Sequence, residues 1–183
     1  MGSGARVKAA GLPRVTFRCY QNAMINDVII RTAVWSDLDA VTDMWRQLMD
    51  LTAIYNRRYR LRPGALDMQR ATFGDYLRRT DAYIVVAESE SDGRLLAFSN
   101  GFMTVPSKTF AQAIIGILEN LFVIEDYRRQ QIGRRTAEYA IAWLTEKGAH
   151  EIYVNVIPRN ATSVRFWDKM GFVVQRLAMT RQT

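Results

Sequence analysis

Residues Phe110 to Ile124, FAQAIIGILENLFVI, form a long apolar run that reads as extended chain. From Ile132 the pattern changes, and inward-facing positions recur at Thr136, at Tyr139 or Ala140, and at Trp143 or Leu144, which predicts a helix ending near Gly148. A strand that runs straight into a helix puts the first free N–H groups of that helix at the strand's carboxyl end. Those donors and the helix dipole form a seat for an anion. The connection is DYRRQQIGRRT, Asp126 to Thr136, with four arginines and one glycine. Its donors are the N–H groups of Arg129, Gln130, Gln131, Ile132, Gly133 and Arg134, and Gly133 lets backbone approach a ligand closely. Arginines at a helix start oppose the dipole, an arrangement easier to understand when an anion sits there. A solvated basic surface remains the alternative.

The rest of the chain supplies partners for this unit. Val28 to Arg31 reads as a strand, and Ser36 as the cap of a helix whose inner face is Leu38, Val41, Met44, Trp45, Leu48 and Met49. A second helix follows RLRPGALD, with Leu66, Met68, Phe73, Tyr76 and Leu77 inward. AYIVVAE and LLAFSNGFMTV flank a turn at Asp92 and Gly93, which predicts an antiparallel hairpin. EIYVNVI is a strand broken by Pro158, NATSVRFWDKMGF a capped helix ending at Gly171, and FVVQRLAMT a final strand. This order implies an α/β fold with a mixed sheet. Residues 27–183 read as one domain, and residues 1–26 as a flexible N-terminal tail or tag remnant.

Composition narrows the function. A chain of 183 residues, 49% hydrophobic and 23% charged, suits one soluble globular core, and its apolar runs are too short to cross a bilayer, so no membrane partner is expected. Cys19 and His150 are each the only residue of their type, which leaves no disulfide within the chain and no metal site, and suits a cytoplasmic protein. A net charge of +7 calls for an anionic partner.

LENLFVIEDYRRQQIGRRT followed by NVIPRNATSVRFWDKMGF resembles the GNAT superfamily of acetyl-CoA-dependent N-acetyltransferases, over roughly Val28 to Thr180. The phosphate-loop pattern of that family is similar to Arg128 through Gly133, and its later pattern to Asn160, Ser163, Phe166, Gly171 and Phe172. The resemblance implies a GNAT-like mixed, mostly antiparallel sheet, splayed at the central strands and flanked by helices. It implies acetyl-CoA as cosubstrate, with Leu121, Phe122 and Val123 offering backbone to the pantetheine arm. Arg128, Arg129, Gln130, Gln131, Ile132, Gly133 and Arg134 would hold the diphosphate, and Asn155, Asn160, Ser163 and Trp167 would line the opposite side. Asn160 also reads as a helix cap. Two positions depart from the family: Gln131 stands at its first glycine, and Trp167 where many relatives carry the tyrosine that protonates the departing thiolate.

Transfer to a primary amine by direct attack in a ternary complex requires a neutral nucleophile and therefore a base. Glu119 fills that role by resemblance, the Val123 N–H would face the oxyanion, and Tyr153, in phase with Asn155 along its strand, is the candidate acid. Glu125 and Asp126 read as surface acids. The acceptor is a small-molecule amine or a peptide, and a homodimer is open. Two rival readings stand beside the enzyme. One is an acetyl-CoA sensor without turnover, suggested by Trp167. The other is a basic nucleic-acid-binding module using Arg57, Arg58, Arg60 and Arg62 beside tyrosines, disfavoured because no nucleic-acid motif accompanies them.

Overall fold

The computed structural model describes residues 27–105, 114–179 and 181; the expected N-terminal tail and the start of the Phe110–Ile124 run lie outside them. Among the described residues are five strands: β1 (Val28–Thr32), β2 (Ala82–Ser89), β3 (Leu95–Thr104), β4 (Ile115–Val123) and β5 (Glu151–Val154). The helices are α1 (Leu38–Tyr55), α2 (Ala65–Arg78), α3 (Ile132–Glu146) and α4 (Ala161–Lys169). The sheet runs β1-β2-β3-β4-β5. Its first three pairings are antiparallel and β4 with β5 is parallel, with α3 as the crossover. The mixed, mostly antiparallel α/β sheet expected from the sequence is therefore present.

Alternation along β2 divides the core between the two faces of the sheet. Ile84 and Val86 join Phe98 and Phe122 under Val41, Met44, Phe73 and Tyr76 of α1 and α2. Tyr83 and Val85 join Leu118 on the other face, under Ala137, Ala140 and Leu144 of α3 and Trp167 of α4. The helical spacing read for α3 is the spacing that is buried: Ile132, Thr136, Ala140 and Leu144 are each at most 1% exposed.

Three local expectations are corrected. Ser36 does not cap α1; Asp37 stands at the N-cap position without a side-chain hydrogen bond to the helix, its carboxylate instead accepting the Val34 N–H at 2.8 Å and binding Arg31 of β1 through two nitrogens at 2.6 and 3.1 Å. Leu66 and Met68, in the first turn of α2, are exposed, while Phe73 and Tyr76 are buried as expected. Among the described residues the final strand is absent. Residues 172–179 have no regular structure and leave Val173, Val174, Leu177 and Met179 exposed. β5, the edge strand beside them, is only four residues long and offers few backbone groups to pair with.

The pairing of β3 with β4 contains one irregularity. Asn100 lies opposite Asn120 and Gly101 opposite Leu118, so Glu119 is an extra residue on β4, a β-bulge. Leu118 faces α3, yet Asn120 reaches Asn100 on the α1/α2 face, because the bulge changes the phase of the strand. Gly101 makes the crowding tolerable: a Cβ there would lie 2.0 Å from the Ile117 carbonyl oxygen.

Two predictions follow from these contacts. Gly101→Ala lowers the unfolding free energy by about 3 kcal/mol in urea denaturation, because backbone rather than a yielding side chain occupies the space. Burial works against the charged form of Asp37, but Arg31 and the Val34 N–H outweigh it and hold its carboxyl below the usual range. Asp37→Asn therefore loses about 2 kcal/mol at neutral pH, and its deficit against the native chain shrinks as pH falls from the ordinary carboxyl value of about 4 through the lower value that the fold imposes on Asp37.

Candidate functional site

The splay of the sheet begins where the bulge ends regular pairing. β4 meets β5 from Ile115 opposite Glu151 to Leu118 opposite Val154, and among the described residues no strand continues along that edge from Glu119 to Val123. The Ile124 N–H reaches the Leu96 carbonyl at 2.9 Å, so by alternation the backbone of Phe122 also faces β3, while Leu121 and Val123 turn theirs to the open edge. Arg128 takes one of these groups, its Nε donating to the Val123 carbonyl at 3.0 Å. The open edge can receive an extended, amide-bearing ligand as a further strand would be received. Phe122 is not presented to it; its side chain is buried on the α1/α2 face and its backbone is committed to β3.

Directly beyond this edge the chain turns into α3 through a strained loop. Arg129 and Gln131 have φ of 61° and 62°, and no other non-glycine among the described residues has positive φ. Left-handed backbone costs an ordinary residue about 1 kcal/mol or more. Interposed among residues of negative φ, it can turn successive N–H groups toward one point, as in an anion-binding concavity. Gln131 is the N-cap of α3, no side chain caps that end, and no acid lies in the first turn. Gly133 seats the helix against β4, since a Cβ there would lie 3.1 Å from Val123 Cγ2.

The arginines divide by role. Arg135 donates to the Val28 carbonyl at 2.8 Å and ties α3 to β1. Arg134 pairs with Glu138 at 2.8 Å on the exposed helix surface, and Arg128 lies over the Phe122 ring, 5.6 Å from its centroid. Arg129 is exposed, and among the described residues nothing pairs with it. Gln130 steadies the loop by donating to the Asp126 carbonyl at 3.2 Å. The Ile132 side chain belongs to the core at 1% exposure, so only its N–H can serve a ligand.

Beside the open edge, on the α1/α2 face, lies a polar cluster. Glu119 Oε2 accepts hydrogen bonds from Tyr76 Oη at 2.9 Å and Asn100 Nδ2 at 2.7 Å. Asn100, fully buried, accepts in turn from Asn120 Nδ2 at 2.9 Å. Burial, the Glu119 carboxylate and the hydrogen bond to it push the Tyr76 hydroxyl well above the usual tyrosine range, so it stays a neutral donor. Tyr76 and Asn100 belong to this cluster, and sequence reading did not single them out for it. Tyr76 reads as one more apolar position on an amphipathic helix. The available signal was SNG inside LLAFSNGFMTV, where buried polar residues and a glycine interrupt an apolar strand, a mark of a bulge.

The remaining candidates lie further along the chain. Tyr153 donates its hydroxyl to Glu151 at 2.8 Å, toward the amino end of β5 and away from the splay, and this bond raises its pKa. Asn155 is exposed just beyond β5. Asn160 caps α4 by accepting the Ser163 N–H at 3.0 Å, which is the capping role its residue type suggests. Trp167 is 6% exposed and packs edge-on between Phe166 and Phe172, with ring centroids 4.9 and 5.1 Å away. The structure thus brings together Glu119, Leu121, Val123 and residues 128–134, and it sets Tyr153 and Trp167 apart from them. Among the described residues no group of three or more His, Cys, Asp or Glu could hold a metal, and no helix is long and apolar enough to cross a membrane.

Comparison with known proteins agrees with this geometry. The sequence profile described as the acetyltransferase (GNAT) family matches residues 45–172. No curated protein sequence matches significantly. Among solved structures, the BH1408 protein of Bacillus halodurans superimposes with a TM-score of 0.75 at 20% identity, over 85% of this chain and 99% of that one. An aminoglycoside N-acetyltransferase, AAC(6')-Iy, solved with CoA, gives 0.70 at 18% identity over 88% and 99% of the two chains. Glucosamine-6-phosphate N-acetyltransferase of Arabidopsis thaliana gives 0.64 at 17% over 85% and 97%.

The strain assigned to Gln131 has a testable sign. Gln131→Gly raises the unfolding free energy by about 0.5 kcal/mol and Gln131→Val lowers it by about 1 kcal/mol, read by thermal or urea denaturation, because only glycine accepts left-handed backbone freely.

Proposed function

The chain belongs to the acetyltransferase (GNAT) family, and on that premise we propose that it acetylates a primary amine, carried by a small molecule or a peptide, in a ternary complex with acetyl-CoA. The observation that carries the reading is the pairing of two left-handed residues, Arg129 and Gln131, at an uncapped helix start with the open edge of β4 immediately before them. A diphosphate fits the first and an amide-containing arm the second. A basic nucleic-acid module would call for neither.

Bound acetyl-CoA supplies the activated acyl group. The loop amides of residues 129–134 hold its diphosphate, and the Arg129 guanidinium adds charge. The edge amides of Leu121 and Val123 align the arm. Glu119, exposed on the α1/α2 face, removes a proton from the incoming ammonium directly or through water, which leaves the nitrogen lone pair free to attack. The Val123 N–H meets the negative charge that develops on the acyl oxygen. No phenol is needed as acid: Tyr76 and Tyr153 both hold their protons more firmly than an ordinary tyrosine, and Trp167 is core. The thiolate leaves to be protonated by solvent.

Calorimetric titration with acetyl-CoA gives saturable binding, and a panel of amines and peptides assayed for thiol release identifies acceptors. In Glu119→Gln, acetyl-CoA affinity is retained and turnover at neutral pH falls by about 100-fold. Absence of acetyl-CoA binding overturns the proposal, and unchanged turnover removes Glu119 from it.

A further inference from the structure

We propose that Tyr76 and Asn100 are positioning residues for Glu119: by placing both donors on one carboxylate oxygen, they hold the other oxygen toward the acceptor. The inference rests on the reading of Glu119 as the base and assigns it the groups that make it one. Tyr76 Oη and Asn100 Nδ2 both reach Oε2, at 2.9 and 2.7 Å, and among the described residues no donor reaches Oε1. Two donors from different directions fix the plane of a carboxylate, whereas an exposed glutamate otherwise samples many rotamers. The remaining oxygen keeps its lone pairs free for the proton it is to accept.

Each support is itself held. Asn100 is fully buried, and its amide orientation is set because its Oδ1 is engaged by Asn120, which leaves Nδ2 for Glu119. Tyr76 packs edge-on against Phe102, centroids 6.2 Å apart, and the Arg79 guanidinium lies over its ring at 5.4 Å. The bulge is what brings Glu119 to these partners.

The charged and titratable groups around Glu119 keep one state across the pH range of interest. Arg79, in the connection from α2 to β2, pairs with Asp81 at 2.8 Å. That pairing holds the Asp81 carboxyl below its usual range. Tyr83 on β2 is buried with its hydroxyl 3.4 Å from Ser99 Oγ, and burial raises its pKa, as it does that of Tyr76. On β5, Tyr153 keeps its hydroxyl on Glu151.

The test is Tyr76→Phe, which deletes one hydroxyl and keeps the ring, read by the NMR titration of the Glu119 side-chain carboxyl carbon in the protein without ligand. Loss of a donor to the charged form moves the midpoint upward. In turnover, the acid limb of the kcat/KM profile moves the same way, kcat falls about 10-fold and acetyl-CoA affinity is unchanged. The loss disappears when Tyr76→Phe is made in a Glu119→Gln background, because the hydroxyl acts through the carboxylate. Asn100→Asp, of the same shape, places a second carboxylate beside Oε2 and moves the midpoint further upward. An unmoved midpoint in Tyr76→Phe, or an equal activity loss with and without Glu119, overturns the assignment. Should the midpoint move while Glu119→Gln turns over normally, the hydrogen-bond assignment holds and the base reading alone fails.

Discussion

One inserted residue, Glu119, organises both halves of the site. Inserted opposite Asn100 and Gly101, it turns Glu119 and Asn120 toward α1 and α2, and it lies where pairing with β5 stops. Beyond it, Leu121 and Val123 face the α3 side, and their backbone groups lie along the open edge. An acid on one face of a strand and free amides along its edge are different requirements, and an unbroken ladder would not deliver them at adjacent residues. The ladder tolerates the insertion because Gly101 has no side chain to meet the Ile117 carbonyl.

The seat proposed for an anion depends on backbone more than on side chains. Of the four arginines around it, Arg135 ties α3 to β1, Arg134 pairs with Glu138, and Arg128 closes the end of β4. What remains is the pair of left-handed residues and the helix start, with Arg129 as the unpaired cation. A non-glycine held in left-handed backbone is retained where surrounding packing dictates it. Ile132 in the core and Gly133 against Val123 supply that packing immediately after Gln131.

Trp167 illustrates how one position can change its work. Packed between Phe166 and Phe172, it joins α4 to the core on the α3 face of the sheet, while the segment after α4 leaves apolar side chains in solvent. In the proposed reaction Tyr76 and Tyr153 hold their protons firmly, so proton delivery to a leaving thiolate would fall to water.

Much of this protein is determined by local pattern. The apolar spacing of α1 and α3, the Asp92–Gly93 hairpin and the run from β4 into DYRRQQIG are set by periods of two and 3.6 residues, which neighbours along the chain enforce. Glu119, Val123 and residues 128–134 were singled out instead by resemblance to a family motif, which is also contiguous along the chain. The partners of Glu119 are not: Tyr76 is 43 residues away and Asn100 is 19, and only the register of β3 against β4 and the docking of α2 bring them to one oxygen. The end of the sheet was likewise a tertiary outcome, since FVVQRLAMT has strand composition but meets no adequate edge. Local sequence determined which elements form and where an anion can sit. The tertiary structure decided which polar groups meet, because a hydrogen bond depends on separations in space that no periodicity along the chain encodes.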